Sequence, residues 1–168
     1  MAINRDLITS LGTAKAGSSG EYFKAGHHFK VVIEKCEWKT ARDRREYVIV
    51  SCQVLESDCE QQGEGKKLSY MINMSIDPGQ GNLASFLRIA LTKLAAMSEG
   101  ETLDPNDDAY WNEQLDPANN GMALLSAVLE EQNVLMGTEL YLYTKPITTQ
   151  AGKPFTIHEW SLEPTNLN

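Results

Sequence analysis

Four cations fall within seven positions of one short stretch, KTARDRREYV: Lys39, Arg42, Arg44 and Arg45. An aromatic ring stands at each end of the group, Trp38 before it and Tyr47 after it. Guanidinium and ammonium groups contact phosphate oxygens, and flat rings accept bases by stacking whatever their identity. The grouping therefore fits a flexible, single-stranded polyanion. Lys66, Lys67, Lys145 and Lys153 are further cations that extend the positive edge, and Tyr141, Tyr143 and Phe155 form a second aromatic group. Asp43 and Glu46 lie inside the basic stretch, so a solvated hairpin tip with its own ion pairs is the plainer alternative.

Other chemistries have weaker footing. GQGNLA, Gly79 to Ala84, matches G-x-G-x-x-A, but that fingerprint needs a parallel strand after its helix, and an acidic polar stretch follows instead. A strand-to-helix turn is the expectation there, with nucleotide binding as the alternative in the enzyme class. The serines of GSSG form no nucleophile elbow, and His27, His28 and His158 read as strand residues. Three cysteines, Cys36, Cys52 and Cys59, have no C-x-x-C spacing and are expected to be free thiols, not metal ligands. No catalytic residue, metal or cofactor is expected.

The net charge of -8 hides a strong asymmetry. Residues 1 to 95 hold 13 Lys and Arg against 11 Asp and Glu; residues 96 to 168 hold 2 against 12. Glu99 through Glu131 contain nine carboxylates and no lysine or arginine. A solvated face is the usual meaning of such a run, and an anionic partner for the first half is not excluded by the total. An alternative is that the run competes with a polyanion for the basic groove or repels duplex. With 168 residues the chain is long enough for one domain with a real core. No apolar run approaches the ~20 residues of a membrane span, and the first twenty residues lack the apolar segment of a signal peptide. A cytoplasmic protein is expected.

The elements that must position these groups follow from periodicity. Asn4 to Leu11 reads as one or two helical turns, and GTAKAGSSGE as a linker, so that the domain spans 26–168 after an N-terminal segment at 1–25. Alternation predicts strands over His28–Trp38, Tyr47–Glu56 and Lys67–Ile76. If Trp38 faces Tyr47, then Ile33 faces Cys52 and Val31 faces Val54, which puts the apolar sets on one face. A bulge in the first strand would alter where Cys36 and Trp38 point. A helix is predicted over Leu83–Met97, with Asn82 as N-cap and Leu83, Phe86, Leu87, Ala90 and Leu94 as its buried stripe. The acidic insertion at about 99–133 reads as loop up to a second helix, Met122–Gln132. A last hairpin joins Thr138–Lys145 to Phe155–Leu162 through PITTQAGK, with Tyr143 facing Phe155; either Tyr141, Tyr143 and Phe155 or Leu140, Leu142 and Trp160 must be core. Tyr70, sharing a face with Leu68 and Ile72, is expected in the core.

Three strands, a helix, an insertion with a further helix and two strands is the chain order of a mainly β, five-stranded OB-fold barrel. The pieces AGHHFKVVIEKCEWK, YVIVSCQVLES, GKKLSYMINMS, GNLASFLRIALTKLA and GTELYLYTKPITTQAGKPFTIHEW resemble small bacteriophage single-stranded-DNA-binding proteins of OB-fold type. The resemblance covers rather more than half the chain; the 99–133 insertion departs from it, and the C-terminus lacks the acidic tail that recruits partners in bacterial single-strand binders. It implies sequence-independent binding of single-stranded DNA in phage replication or recombination, in the host cytoplasm, with homo-oligomerisation and the protein partners left open. The competing expectation is a protein-interaction or virion-structural β-barrel that uses its acidic face.

Overall fold

The computed structural model describes residues 21–164 except 117, 120 and 131. The helical turns expected at Asn4–Leu11, and the linker as far as Gly20, lie outside the described residues. Five strands, β1 (His28–Thr40), β2 (Glu46–Ser57), β3 (Lys67–Asn73), β4 (Glu139–Thr148) and β5 (Pro154–Ser161), form one antiparallel sheet in the order β3-β2-β1-β4-β5. Three helices, α1 (Asp77–Glu99), α2 (Asp108–Gln114) and α3 (Gly121–Leu129), lie between β3 and β4. The protein is thus mainly β, and the sheet is open: β3 and β5 are its edges, and no ladder joins them.

Alternation decides which face is buried. Val31, Ile33, Val48, Val50, Cys52, Val54, Leu68, Ile72, Leu140 and Leu142 are buried on one face, joined by Phe86 and Leu87 of α1. Ile33 pairs with Cys52 and Val31 with Val54, as the apolar pattern requires. Register shifts then intervene at Lys30/Val31 and at Ile33/Lys35. Beyond the second, Cys36 is buried opposite Val50, and Trp38 stands opposite Val48 instead of Tyr47. The bulge puts one extra residue on β1, which moves Trp38 to the other side of the sheet from Tyr47.

Several expected boundaries change, among them the second helix expected at Met122–Gln132, which runs from Gly121 to Leu129. α1 starts at Asp77, with Ile76 as N-cap, so Asn82 lies inside the helix. Pro78 is tolerated in the first turn, where its missing N–H costs nothing. Gly79 is needed there because a Cβ would collide with the Asn73 carbonyl oxygen. The stretch read as loop contains α2, whose N-cap Asp107 accepts from Tyr110 N and whose Trp111 is only 2% exposed. β3 ends at Asn73, short of Ile76, and β4 runs on to Thr148, which leaves a shorter hairpin turn. Phe155 therefore faces Ile147, and Tyr143 faces Glu159. Phe23 also belongs to the core, edge-on to Phe29 with centroids 5.0 Å apart.

The two sheet edges meet through side chains. Tyr70 of β3 stacks on His158 of β5 (4.3 Å) and lies 5.7 Å from Trp160, while Phe86 of α1 packs edge-on against Trp160 (5.0 Å). Tyr70 is core, as its face predicted, and burial pushes its hydroxyl up to about 12. Leu140, Leu142 and Trp160 form the buried side of the last hairpin.

Candidate nucleic-acid interface

The β1–β2 connection is a tight hairpin. Ala41 N donates to Arg45 O (2.8 Å) and Arg44 N to Ala41 O (3.0 Å), so Arg42, Asp43 and Arg44 form a three-residue loop. Such loops end in a left-handed residue, usually glycine. Arg44 takes that position at φ 71. Arg42, Arg44 and Arg45 are exposed, and Arg45 Nε lies 3.2 Å from Asp43 Oδ2. Lys39 Nζ is 3.7 Å from Glu37.

At the root of this loop, Trp38 is 40% exposed while the other two tryptophans, Trp111 and Trp160, are 2% and 8% exposed. Its position is fixed by the β1 bulge and by Asn133. Cys36 N donates to Asn133 Oδ1 (2.7 Å), and Asn133 Nδ2 donates to Cys36 O (2.8 Å). The carboxamide thus takes the place of a neighbouring strand for one residue pair, just after β4 stops accompanying β1. Asn133 itself is left-handed (φ 42), a conformation asparagine tolerates better than most residues.

Tyr47 is no platform. The same bulge leaves it on the opposite face, 5% exposed, in a small cluster with Ile49, Ala41 and Met71. The remaining expected residues divide among three other places. Lys66 and Lys67, at the start of β3, pair with Glu21 and Glu34 at 2.7 Å each. The Lys66 bond holds the Glu21 carboxyl below its usual range. Tyr141 and Tyr143 lie beside the first residues of β1, at the opposite end of that strand from Trp38. Tyr143 stacks on His28 (4.5 Å), and Lys30 sits over the Tyr141 ring (5.7 Å), so each has a face already engaged. Lys145 is 3.9 Å from Glu159, whereas Lys153 and Phe155 sit exposed at the β4–β5 tip.

Three side chains that the sequence does not suggest as site residues join Phe155 at the open edge: Ile76, Ile157 and His158, which reads as a strand residue, line one cavity with it. The outward alternation of Phe155 and Ile157 against buried Trp160 was the available signal for Ile157. His158 is held neutral, with burial lowering its pKa to about 4 against a weaker opposing hydrogen bond to the Thr156 backbone.

At GQGNLA, Gly79 and Gly81 lie within the first turns of α1, and the element that follows α1 is another helix instead of a parallel strand. That excludes the dinucleotide arrangement of a βαβ unit. The three thiols, Cys36, Cys52 and Cys59, are free and buried. Among the described residues no helix is long and apolar enough to cross a membrane. The chain matches no protein-family model and no curated protein sequence.

Proposed function

We propose that this chain is an OB-type barrel module that binds single-stranded DNA with little sequence preference, in phage replication or recombination within the host cytoplasm. It acts as a binding module and not as an enzyme. The strand order β3-β2-β1-β4-β5 supports the barrel reading, since contact of β3 with β5 is the step that would close it. So does α1, which lies between the third and fourth strands and covers Tyr70 and Trp160 with Phe86. The phage setting rests on the resemblance of the strand and helix segments described above.

One observation carries the binding reading: Trp38, left 40% exposed, stands beside a hairpin tip with three exposed arginines, Arg42, Arg44 and Arg45. An exposed indole is a costly thing to keep in water, and a base stacked on it returns ~1–3 kcal/mol. Arg44 supports the same reading, because an arginine held where glycine is favoured costs about 1 kcal/mol or more. The ion pairs at Lys66 and Lys145 are solvent-exposed and those at Lys39, Arg45 and Lys67 lie at the surface with partly buried carboxylates; surface pairs are worth roughly 0–1 kcal/mol each, so phosphate oxygens can replace the carboxylates.

Those same ion pairs favour a second reading, a protein-interaction or virion-structural module that works through its acidic insertion. Titration with oligo(dT) separates the two. Trp38 is the exposed tryptophan, so binding is expected to quench emission in the native protein and not in Trp38→Phe. With about five phosphates engaged, log K should fall against log salt with a slope near about -3.5, at ~0.7 per contact. Unchanged emission, together with unchanged anisotropy of a labelled oligo(dT), would reject DNA binding and leave the second reading.

A further inference from the structure

Between the edge strands β3 and β5, which no ladder joins, lies a cavity of about 290 Å³. Tyr70 and Asn73 of β3, Phe155 and Ile157 of β5, and Ile76 and Asn82 at the start of α1 are among its walls. Resting on the single-strand reading above, the geometry points to this cavity as the seat of one unstacked base of the bound strand.

Size and composition carry the inference. The volume is close to the lower end of the roughly 300–1,000 Å³ found for small-molecule sites, which suits one base and excludes a duplex. Phe155, Ile157 and Ile76 are 52%, 37% and 53% exposed, so three apolar side chains are open to solvent around a single depression. Phe155 offers the ring on which a base can stack.

Polarity selects a base over a phosphate. Among the described residues lining the cavity there is no Asp, Glu, Lys or Arg, and His158 in its wall is neutral at pH 7. A phosphate would find no cation inside. A base edge would find two carboxamides, Asn73 and Asn82. Asn73 Oδ1 accepts from Ser75 N (2.9 Å), which leaves its NH2 group to donate to a base carbonyl. The charge lies just outside: Lys153 precedes Pro154 and Phe155 at the hairpin tip, where it can hold the phosphate of a base inserted beside it.

The cavity also connects with the first platform. Trp38 stands opposite Val48, and Val48 opposite Ile72, another wall of the cavity. Two strand spacings, about 10 Å, therefore separate the backbone at Trp38 from that at Ile72. A bound strand with one base on Trp38 has the cavity within reach of a nearby base.

Photo-crosslinking with oligo(dT) carrying 5-iododeoxyuridine, followed by mass spectrometry of the adducts, tests this. Adducts are expected on Phe155, Tyr70 or His158 in addition to Trp38. Phe155→Ala is expected to weaken oligo(dT) binding about five- to a hundredfold, from the loss of one stacked base. Its melting temperature should stay near that of the native protein, since the ring is exposed. Asn82→Trp, which crowds the mouth from an exposed helix position, should weaken binding in the same direction. Adducts confined to Trp38, with Phe155→Ala binding as tightly as the native chain, would overturn the cavity and leave single-strand binding standing. Failure of the native protein to bind oligo(dT) at all would overturn both.

Discussion

Arg44 joins two opposing demands in one side chain. Its φ of 71 is a conformation that glycine adopts without strain, while its guanidinium points from the tip of an exposed loop. Arg44→Gly should therefore raise stability by about 0.5–1 kcal/mol and at the same time weaken oligo(dT) binding. The salt slope should become shallower by about 0.7. Thermal melts and titrations at two salt concentrations read both effects; a variant that gains stability with no change in affinity would assign Arg44 to the turn alone. Trp38 and Tyr47 show how finely such roles are divided. They flank the same loop, yet one is 40% and the other 5% exposed, because an extra residue in β1 puts them on different faces.

The strand that makes this division depends on a side chain from elsewhere. Asn133 bonds both backbone groups of buried Cys36, at 2.7 and 2.8 Å, on the stretch of β1 that β4 no longer reaches. Asn133→Ala leaves that N–H and C=O without partners and should cost about 1–3 kcal/mol, seen as a lower urea midpoint. If the bulge loosens, Trp38 emission should also shift in the native baseline. In VVIEKCEW the apolar positions change phase across Glu34-Lys35, between Ile33 and Cys36, and that is where the extra residue falls. The pairings Ile33–Cys52 and Val31–Val54 were legible because a slip would have buried polar side chains. Tyr70 and the α1 stripe were legible for the same reason. Less visible were elements set by contacts distant in sequence. α1 begins at a Pro-Gly pair that reads as loop, but Gly79 is what lets the helix close against the Asn73 backbone. α2 is short and acidic, and buried Trp111, whose indole N–H donates to Asp104 O (2.8 Å), is what anchors it. Of the candidate site, the basic tip and Trp38 were readable locally. The cavity beside Phe155 was not, because it exists only where the β3 edge of the sheet meets the β5 edge.

Sign of charge is divided along the chain, yet the acidic half is not a detachable tail. Trp111 is core, Leu103 and Leu115 pack against it, and Arg88 Nη1 bonds Asp108 Oδ1 at 2.6 Å. Removing residues 99 to 118 would open the core along with removing carboxylates, so it cannot test whether they repel DNA. The response of the fold to acid is set in part by His158, stacked on Tyr70 where the sheet edges meet. Its folded pKa of about 4 is below the ordinary 6.5, so between those values the unfolded chain binds a proton that the native protein refuses. Stability should be fully present above pH 6.5, fall as pH drops through that window, and lose nothing further from this group below about 4. Melting temperatures across pH 4–7 should fall less steeply in His158→Phe; an identical slope in both would remove His158 from the account. Burial also pushes the Cys36 thiol up to about 12 and raises that of Cys52 well above its usual range, and Cys59 is only 4% exposed. Thiolate is the reactive form; Cys36 and Cys52 do not offer it while the chain is folded, and Cys59 is shielded by burial. The molecule thus carries an internal stopwatch: a disulfide reagent that colours on reaction counts the opening events of the protein without any label having been attached.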